Sequence, residues 1–263
     1  MSFASMNMVP FGLSVQRGNI NNFTYREVFG AHTAITTAQK FALLESSTNN
    51  DLKYPPSAVT ANIVSTDAAD TSDGTGANSI LIEGLDANYE LQNELIVMNG
   101  TDDVATTKTY IRIFLMRVLS AGADGKNKGN IKAKMQTSSD GGENNDQPVL
   151  TEVCRISNDD GLENHSHHAL FTVPAKHQAY LMKTRYYSAN VNKTYLGKLQ
   201  YRELNGVFRP VHIAEGFKED LRVENAAPII IPEKADIEMR AKNNDESGSV
   251  AVYGSFSIIL EKL

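Results

Sequence analysis

Residues 250–260, VAVYGSFSIIL, alternate between apolar and small or polar side chains, and this alternation decides the fold class. The small polar residues Ser255 and Ser257 lie on one face, and the apolar residues recur on the other. That apolar set is Val250, Val252, Phe256, Ile258 and Leu260. A period of two is typical of a β-strand with one buried and one solvated face. The stretch therefore predicts a half-buried antiparallel strand.

The same alternation occurs in residues 131–136 and 236–241, and turn-forming clusters separate the apolar runs. The clusters are Asp73-Gly74, Asn99-Gly100, residues 122–125, Asp140-Gly141-Gly142, Asp160-Gly161 and Asn205-Gly206. Many short strands with such turns favour an all-β fold, an antiparallel β-sandwich that is jelly-roll-like. Only residues 38–45 and 215–224 could form helices, and both would be short. Strand pairing is not written in periodicity, so the exact topology stays open at this point.

The first 50 residues differ from the rest because their hydrophobic periodicity is weak before Tyr54-Pro55-Pro56. Residues 1–50 are therefore predicted to be an N-terminal arm, or ordinary strands, contacting neighbouring subunits. Residues 51–263 are predicted to form the β-sandwich domain, which could consist of two packed sub-sandwiches.

One run, residues 110–119, is apolar on both faces. Such a strand is central in its sheet or lies against a neighbouring subunit. The predicted interface residues are Tyr110, Arg112, Phe114 and Met116. Together with the arm-like N-terminus and the absence of any possible intrachain disulfide, this run favours a closed homo-oligomer.

Composition and net charge indicate which classes of protein are plausible. The chain has 263 residues, of which 41% are hydrophobic and 21% charged, as is ordinary for a globular protein. Its formal charge of -6 is unfavourable for binding phosphates. Lys126, Lys128, Lys132 and Lys134 form the densest basic strip, but no aromatic residue is interleaved for base stacking. No run is apolar enough to span a membrane, and we expect neither nucleic acid nor membrane as a partner. The single cysteine, Cys154, is expected to be a small core residue.

Two places could hold a metal ion. His165 and His167 would share a face if they lay on a strand, which is a workable bidentate arrangement, although two ligands from one chain are too few. The acidic loop at residues 65–74 offers oxygen ligands suited to calcium, but its residues are also those of an ordinary turn. We expect no bound cofactor and no stoichiometric metal in the isolated chain. Phosphate-binding, zinc-protease and serine-nucleophile motifs are absent, so the chain is expected not to be an enzyme.

Several segments resemble virion structural proteins of marine tailed bacteriophages, of the cyanophage-like kind. The most distinctive is Gly84-Leu85-Asp86-x-Asn88-Tyr89. The others are Ser65-Thr66-Asp67-x-x-Asp70-Thr71-x-Asp73-Gly74-Thr75-Gly76-Ala77, Asn99-Gly100-Thr101, Tyr110-Ile111-Arg112-Ile113-Phe114, Gly129-Asn130-Ile131 and residues 232–241. The resemblance covers roughly half of the chain and implies a particle component without enzymatic activity. Because threefold spikes, fibres and decoration proteins are common in such particles, it also makes a trimer the first expectation for the homo-oligomer.

The leading functional hypothesis is therefore an accessory virion protein: a capsid decoration, head fibre or tail-associated component, assembled with other virion proteins in the host cytoplasm. The alternative is a receptor- or carbohydrate-binding virion protein that contacts host-surface glycans. Tyr186, Tyr187, Tyr195 and Tyr201 would be its stacking residues, unless they fill the core. A glycan-cleaving enzyme is a third and weaker class.

Overall fold

A computed structural model describes residues 11–38, 42–43, 54–139, 148–159, 161–188, 193–217 and 221–263. In these ranges it contains one short helix, α1 (Phe11–Gln16), and sixteen strands. The strands are β1 (Phe23–Thr36), β2 (Ala42–Leu43), β3 (Ala61–Ser65), β4 (Ala77–Leu85), β5 (Leu91–Val97), β6 (Val104–Ala105), β7 (Arg112–Ala121), β8 (Ile131–Ser139), β9 (Pro148–Ile156), β10 (Leu170–Thr172), β11 (His177–Tyr187), β12 (Thr194–Arg202), β13 (Arg209–Phe217), β14 (Leu221–Ile231), β15 (Asp236–Asn243) and β16 (Ser249–Lys262). All the strand pairs are antiparallel, so the all-β prediction is confirmed.

The first of two sandwiches combines the beginning and the end of the chain. One sheet has the order β1-β16-β11-β14, and the facing sheet has the order β10-β15-β12-β13, with β2 added beside β15. Counted along these eight main strands, the two sheets run 1-8-3-6 and 2-7-4-5, which is the nested order of a jelly roll. We call this unit the jelly-roll sandwich.

The C-terminal strand β16 explains why the alternating stretch at residues 250–260 decides the fold. It lies between β1 and β11, and Phe256, Ile258 and Leu260 are buried between the two sheets. Ile258 is opposite Arg26 of β1 and Leu181 of β11. Strand β16 is therefore a central strand of its sheet, paired on both edges and covered on its inner face.

The second sandwich, formed by β3 to β9, is inserted between the first two main strands of the jelly roll. Its sheets have the orders β6-β3-β8-β9 and β5-β4-β7. They enclose a separate apolar core that includes Ile63, Ile80, Ile113 and Met135. We call this unit the insert sandwich. The chain thus contains two packed sandwiches, which was the possibility left open by the sequence.

Two local predictions need correction. In the predicted helix at residues 215–224, residues 215–217 belong to β13 and residues 221–224 to β14, and residues 218–220 lie outside the described residues. In the predicted helix at residues 38–45, Ala42 and Leu43 form a short strand beside β15, and residues 39–41, 44 and 45 lie outside the described residues. In both segments tertiary strand pairing outweighs a local preference for helix.

The predicted boundary near residue 50 also does not separate an arm from the sandwich. Residues 23–36 form β1, which pairs with β16 along nearly its whole length and contributes Ala31 and Ile35 to buried positions. Residues 1–10, 39–41 and 44–50, which the arm prediction also covered, lie outside the described residues.

Candidate functional site: the sandwich junction and an exposed sheet face

A buried ion pair joins the two sandwiches. Arg112, at the start of β7, donates from Nε to Asp236 Oδ1 at 2.9 Å and from Nη2 to Oδ2 at 3.1 Å. Asp236, at the start of β15, also accepts from Arg202 Nε at 2.9 Å and from Thr172 Oγ1 at 2.6 Å. We call these four residues the clamp. Its bidentate, charge-assisted hydrogen bonds fix the insert sandwich to the jelly-roll sandwich.

An aromatic residue from the connecting segment completes this junction. The ring of Tyr54 packs against two guanidinium groups, and its centroid is 4.6 Å from Arg112 Cζ and 4.1 Å from Arg202 Cζ. Its hydroxyl donates to Glu238 Oε2 at 2.8 Å, and Gln200 donates to the other oxygen at 2.6 Å. Burial and then the neighbouring carboxylates raise the pKa of Tyr54 well above its usual value. The carboxylates at the junction are buried and hydrogen-bonded, so they hold the two sandwiches together and are not exposed to a substrate.

The predicted interface residues lie inside the chain, at or beside this junction. Tyr110, Arg112, Phe114 and Met116 are all buried by the chain itself. Phe114 packs against Phe171 of the jelly roll with ring centroids 4.9 Å apart. The doubly apolar run is thus a strand with the insert core on one side and the sandwich junction on the other. The prediction that these four side chains face a neighbouring subunit is wrong, because the interface they form is intramolecular.

The predicted histidine pair lies beside the same junction. His165 and His167 belong to the segment between β9 and β10 and not to a continuous strand, although His165 forms a single bridge with Arg117 of β7. Their ring centroids are 5.7 Å apart. Burial of the ring, and then His165, lowers the pKa of His167 to about 4. Among the described residues no group of three His, Cys, Asp or Glu side chains could hold a metal ion, so this pair has no third protein ligand there.

The acidic loop is built around one buried carboxylate. Asp70 accepts hydrogen bonds from Ser65 Oγ at 2.6 Å and from the amides of Ala77, Lys128 and Gly129 at 2.7, 2.9 and 2.9 Å. These four donors occupy both oxygens of the carboxylate. The loop is therefore explained as a structural turn that ties three segments of the insert sandwich together.

The tyrosines proposed for sugar stacking divide into core and surface residues. Tyr186 and Tyr195 are fully buried, so they fill the jelly-roll core. Tyr187 is exposed and stacks on Tyr253 of the neighbouring strand, with ring centroids 4.9 Å apart and planes at 22°. Tyr201 is partly buried against the same core. Among the described residues, the Tyr187–Tyr253 pair is the one stacked aromatic pair with an exposed ring, and the sequence analysis identified Tyr187 but not Tyr253.

Three further expectations from the sequence concern Cys154, the basic strip of lysines and membrane-spanning segments. Cys154 is buried in the insert core, as predicted. Three of the four lysines in the basic strip lie beside carboxylates: Lys126 with Glu163, Lys128 with Asp124 and Lys132 with Glu152. No helix in the described part of the chain is long and apolar enough to cross a membrane.

The largest aliphatic exposure of the insert sandwich is on β5. Leu91, Leu95 and Val97 point away from the core and are 41%, 56% and 55% exposed. We call these three residues the β5 face. Leu95 is opposite Leu81 of β4, so the apolar surface continues inward across the sheet. Leu119 of β7 is a further aliphatic residue of this sheet that is half exposed.

The edge of β5 is covered even though its face is open. The Glu94 carboxylate accepts hydrogen bonds from the amides of Thr107 and Lys108, and Lys108 Nζ donates to the carbonyl of Asn93 at 2.7 Å. Capping of an edge strand prevents another strand from adding to it. The available surface is therefore the aliphatic face and not the backbone edge.

Comparison with known proteins gives little further guidance. No protein-family model matches the chain, and no curated protein matches it. Among solved structures, infectious bursal disease virus of the Gt strain is similar at 10% identity and a TM-score of 0.25, over 96% of this chain and 78% of that chain. The VP2 subviral particle of infectious bursal disease virus has 8% identity and a TM-score of 0.19, over 97% and 82% of the two chains. Likeness at this level establishes neither a shared fold nor a shared function.

Proposed function

We propose that this protein is a non-enzymatic structural component of a virion that assembles as a homo-oligomer. The observation that carries the proposal is the β5 face, an exposed aliphatic surface on a sheet whose edge is capped. Contiguous exposed apolar surface commonly marks a protein interface, and the jelly roll is an architecture used by viral capsid proteins, although a fold alone does not define a function. The sequence resemblance supports the finer proposal of an accessory tailed-phage component, such as a capsid decoration, head fibre or tail-associated protein.

The arrangement of the two sandwiches suits this role. The clamp and Tyr54 hold them together through buried, mutually satisfied groups, which favours a rigid module. The described carboxylates at the junction are already bound by arginine, tyrosine or glutamine side chains. A closed oligomer, with a trimer as the first expectation, would cover the β5 face of each subunit with a neighbouring subunit.

The oligomer proposal is tested by charging the β5 face. Replacing Leu95 and Val97 together with lysine should raise the dissociation constant by at least about a hundredfold, because each subunit would lose about 1.5–3 kcal/mol for each buried aliphatic side chain. Sedimentation velocity over a concentration series measures this change. The melting temperature of the dissociated chain should stay close to that of the wild type, since both side chains are exposed in the single chain.

A matched control uses exposed residues elsewhere. Ile213 and Ile230 are 63% and 56% exposed on β13 and β14, edge strands that also contain Pro210 and Pro228. Proline blocks strand addition, so replacing both isoleucines with lysine should leave the assembly intact. A wild-type chain that stays monomeric at high micromolar concentration would contradict the homo-oligomer.

The second candidate function is binding of host-surface glycans, and the stacked Tyr187–Tyr253 pair favours it. Exposed aromatic rings can stack on the apolar faces of sugars. If this function holds, Tyr187→Ala should abolish binding on a glycan array, and Tyr187→Phe, which keeps the ring, should retain most of it. Tyr201→Phe serves as a control at a partly buried tyrosine. Binding that is unchanged in Tyr187→Ala would exclude this surface.

A further inference from the structure

A segment between β9 and β10 joins the two sandwiches by hydrogen bonds as well as by the chain itself. We call residues 164–168 of this segment the strap. On the insert side, the amide of Val118 donates to the carbonyl of Asn164 at 2.8 Å, and the amide of Ser166 donates to that of Met116 at 2.8 Å. The strap therefore follows the open edge of β7 as a short additional strand would.

On the jelly-roll side, the strap is held through His167. Its carbonyl accepts the amide of Ala31 in β1 at 3.4 Å, and its ring packs edge-on against Phe29, with centroids 5.3 Å apart and planes at 76°. The Nδ1 atom of His167 is buried and has no hydrogen-bond partner among the described residues. The imidazole is docked by its apolar ring surface, and its Nδ1 has no partner among the described residues that would stabilise a positive charge.

The charged surroundings of His167 are unfavourable to a second positive charge. The charged and titratable groups on the strap and on the elements packed against it are His165 and His168 of the strap, Arg117 of β7, Arg26 and Glu27 of β1, Glu83 of β4, which pairs with Arg26, and Glu163, which pairs with Lys126. Two of these three carboxylates are already paired with cations. Protonated His165 and His167 would therefore repel each other and would also repel Arg117. The carboxylates that are not already paired are too few to balance these positive charges.

The packing around the strap is also incomplete. A cavity of about 100 Å³ lies between the strap, β1 and β7, and its lining includes Phe29, Leu115 and His165. This volume is large enough for water to enter, which would hydrate a charged imidazole once the contact opens. The contact between the strap and β1 therefore lies beside unfilled space.

We propose that the strap is an acid-released latch between the two sandwiches. Protonation of His165 and His167 undocks the His167 ring from Phe29 and breaks the strap's bond to β1. The clamp, which lies at another part of the junction, then remains as the hinge, and both cores stay folded. The latch gives the protein a joint that is rigid at neutral pH and loosened in an acidic environment.

The pH window follows from the sign of the histidine shifts. Partial burial and Arg117 lower the pKa of His165, and burial lowers the pKa of His167 to about 4. Because the docked state disfavours the protonated ring, its stability is fully present above the ordinary histidine pKa of about 6.5 and is lost as pH falls toward 4. Most of the loosening should therefore occur between about pH 6 and pH 4.

Hydrogen exchange on the full chain tests the latch. After correction for intrinsic rates, protection of the Ala31 amide, which donates to His167 in the docked state, should fall by about tenfold between pH 7.5 and pH 5. Amides in the two cores, such as those of Ile258 and Ile80, should keep their protection over the same range. Loss of protection in both cores at the same pH would show global acid unfolding and would overturn the proposal.

Variants separate the histidines from other acid-sensitive groups. His167→Phe combined with His165→Gln keeps a ring against Phe29 but cannot be protonated, so the acid response should disappear. His167→Lys should show the released pattern already at pH 7.5. His177→Gln, at a histidine whose Nδ1 contacts the carbonyl of Ala175 away from the strap, should respond like the wild type. A response that persists in the double variant would assign it to carboxylates such as Asp236 and would refute the latch.

Discussion

Replacing Ile258 with aspartate should abolish cooperative folding of the jelly-roll sandwich. Ile258 is fully buried at the centre of β16, and its side chain is part of the core between the two sheets. A charged carboxylate there would lie among apolar groups, so we expect a loss of at least about 4 kcal/mol. That is a large fraction of the roughly 5–15 kcal/mol that stabilises an ordinary domain.

Urea unfolding followed by circular dichroism measures this effect, with Ser249→Asp as the matched control. Ser249 lies on the same strand but is exposed, so the same charge should change the free energy of unfolding by less than about 0.5 kcal/mol. If Ile258→Asp instead gave a soluble protein with an unchanged unfolding midpoint, the inner-face assignment of β16 would be wrong.

The fold class could be predicted because its signal is local. Strand β16 carries its apolar residues with a period of two, and that period follows from the pleat of the backbone alone. The topology could not be predicted in the same way. Pairing of β1 with β16 joins residues more than 200 positions apart, and no local pattern in residues 23–36 indicates that partner.

Residues 110–119, which are apolar on both faces, show what a hydrophobic pattern alone cannot predict. The sequence indicates that both faces of this strand are covered, but it does not indicate what covers them. A second sandwich of the same chain supplies Phe171 and Asp236 to one face, so a subunit neighbour is not required. The role of Asp236 also could not be predicted from the sequence. Asp236 is the first residue of an ordinary alternating strand, where a solvent-facing side chain is expected, and only the tertiary structure places Arg112 and Arg202 beside it.

Replacing Asp236 with asparagine should weaken the chain by about 3–5 kcal/mol, the range for removing one partner of a buried ion pair. The substitution would leave the guanidinium groups of Arg112 and Arg202 close together without their shared carboxylate. Arg112→Met should cost less, because Asp236 would keep its bonds to Arg202 and Thr172. The expected order of stability is therefore wild type, then Arg112→Met, then Asp236→Asn.

Urea unfolding of the full chain tests this order, and an exposed pair provides the control. Lys176 Nζ is 3.1 Å from Glu90 Oε1, with side chains 71% and 55% exposed, so Lys176→Met should cost no more than about 1 kcal/mol. Adding Asp236→Leu to Arg112→Met removes both charges of the direct pair, and this double variant should lose less than the sum of the single losses. If Asp236→Asn cost no more than Lys176→Met, the clamp would be a passive contact, and the rigidity of the junction would have to come from the apolar packing of Phe114 and Phe171 instead.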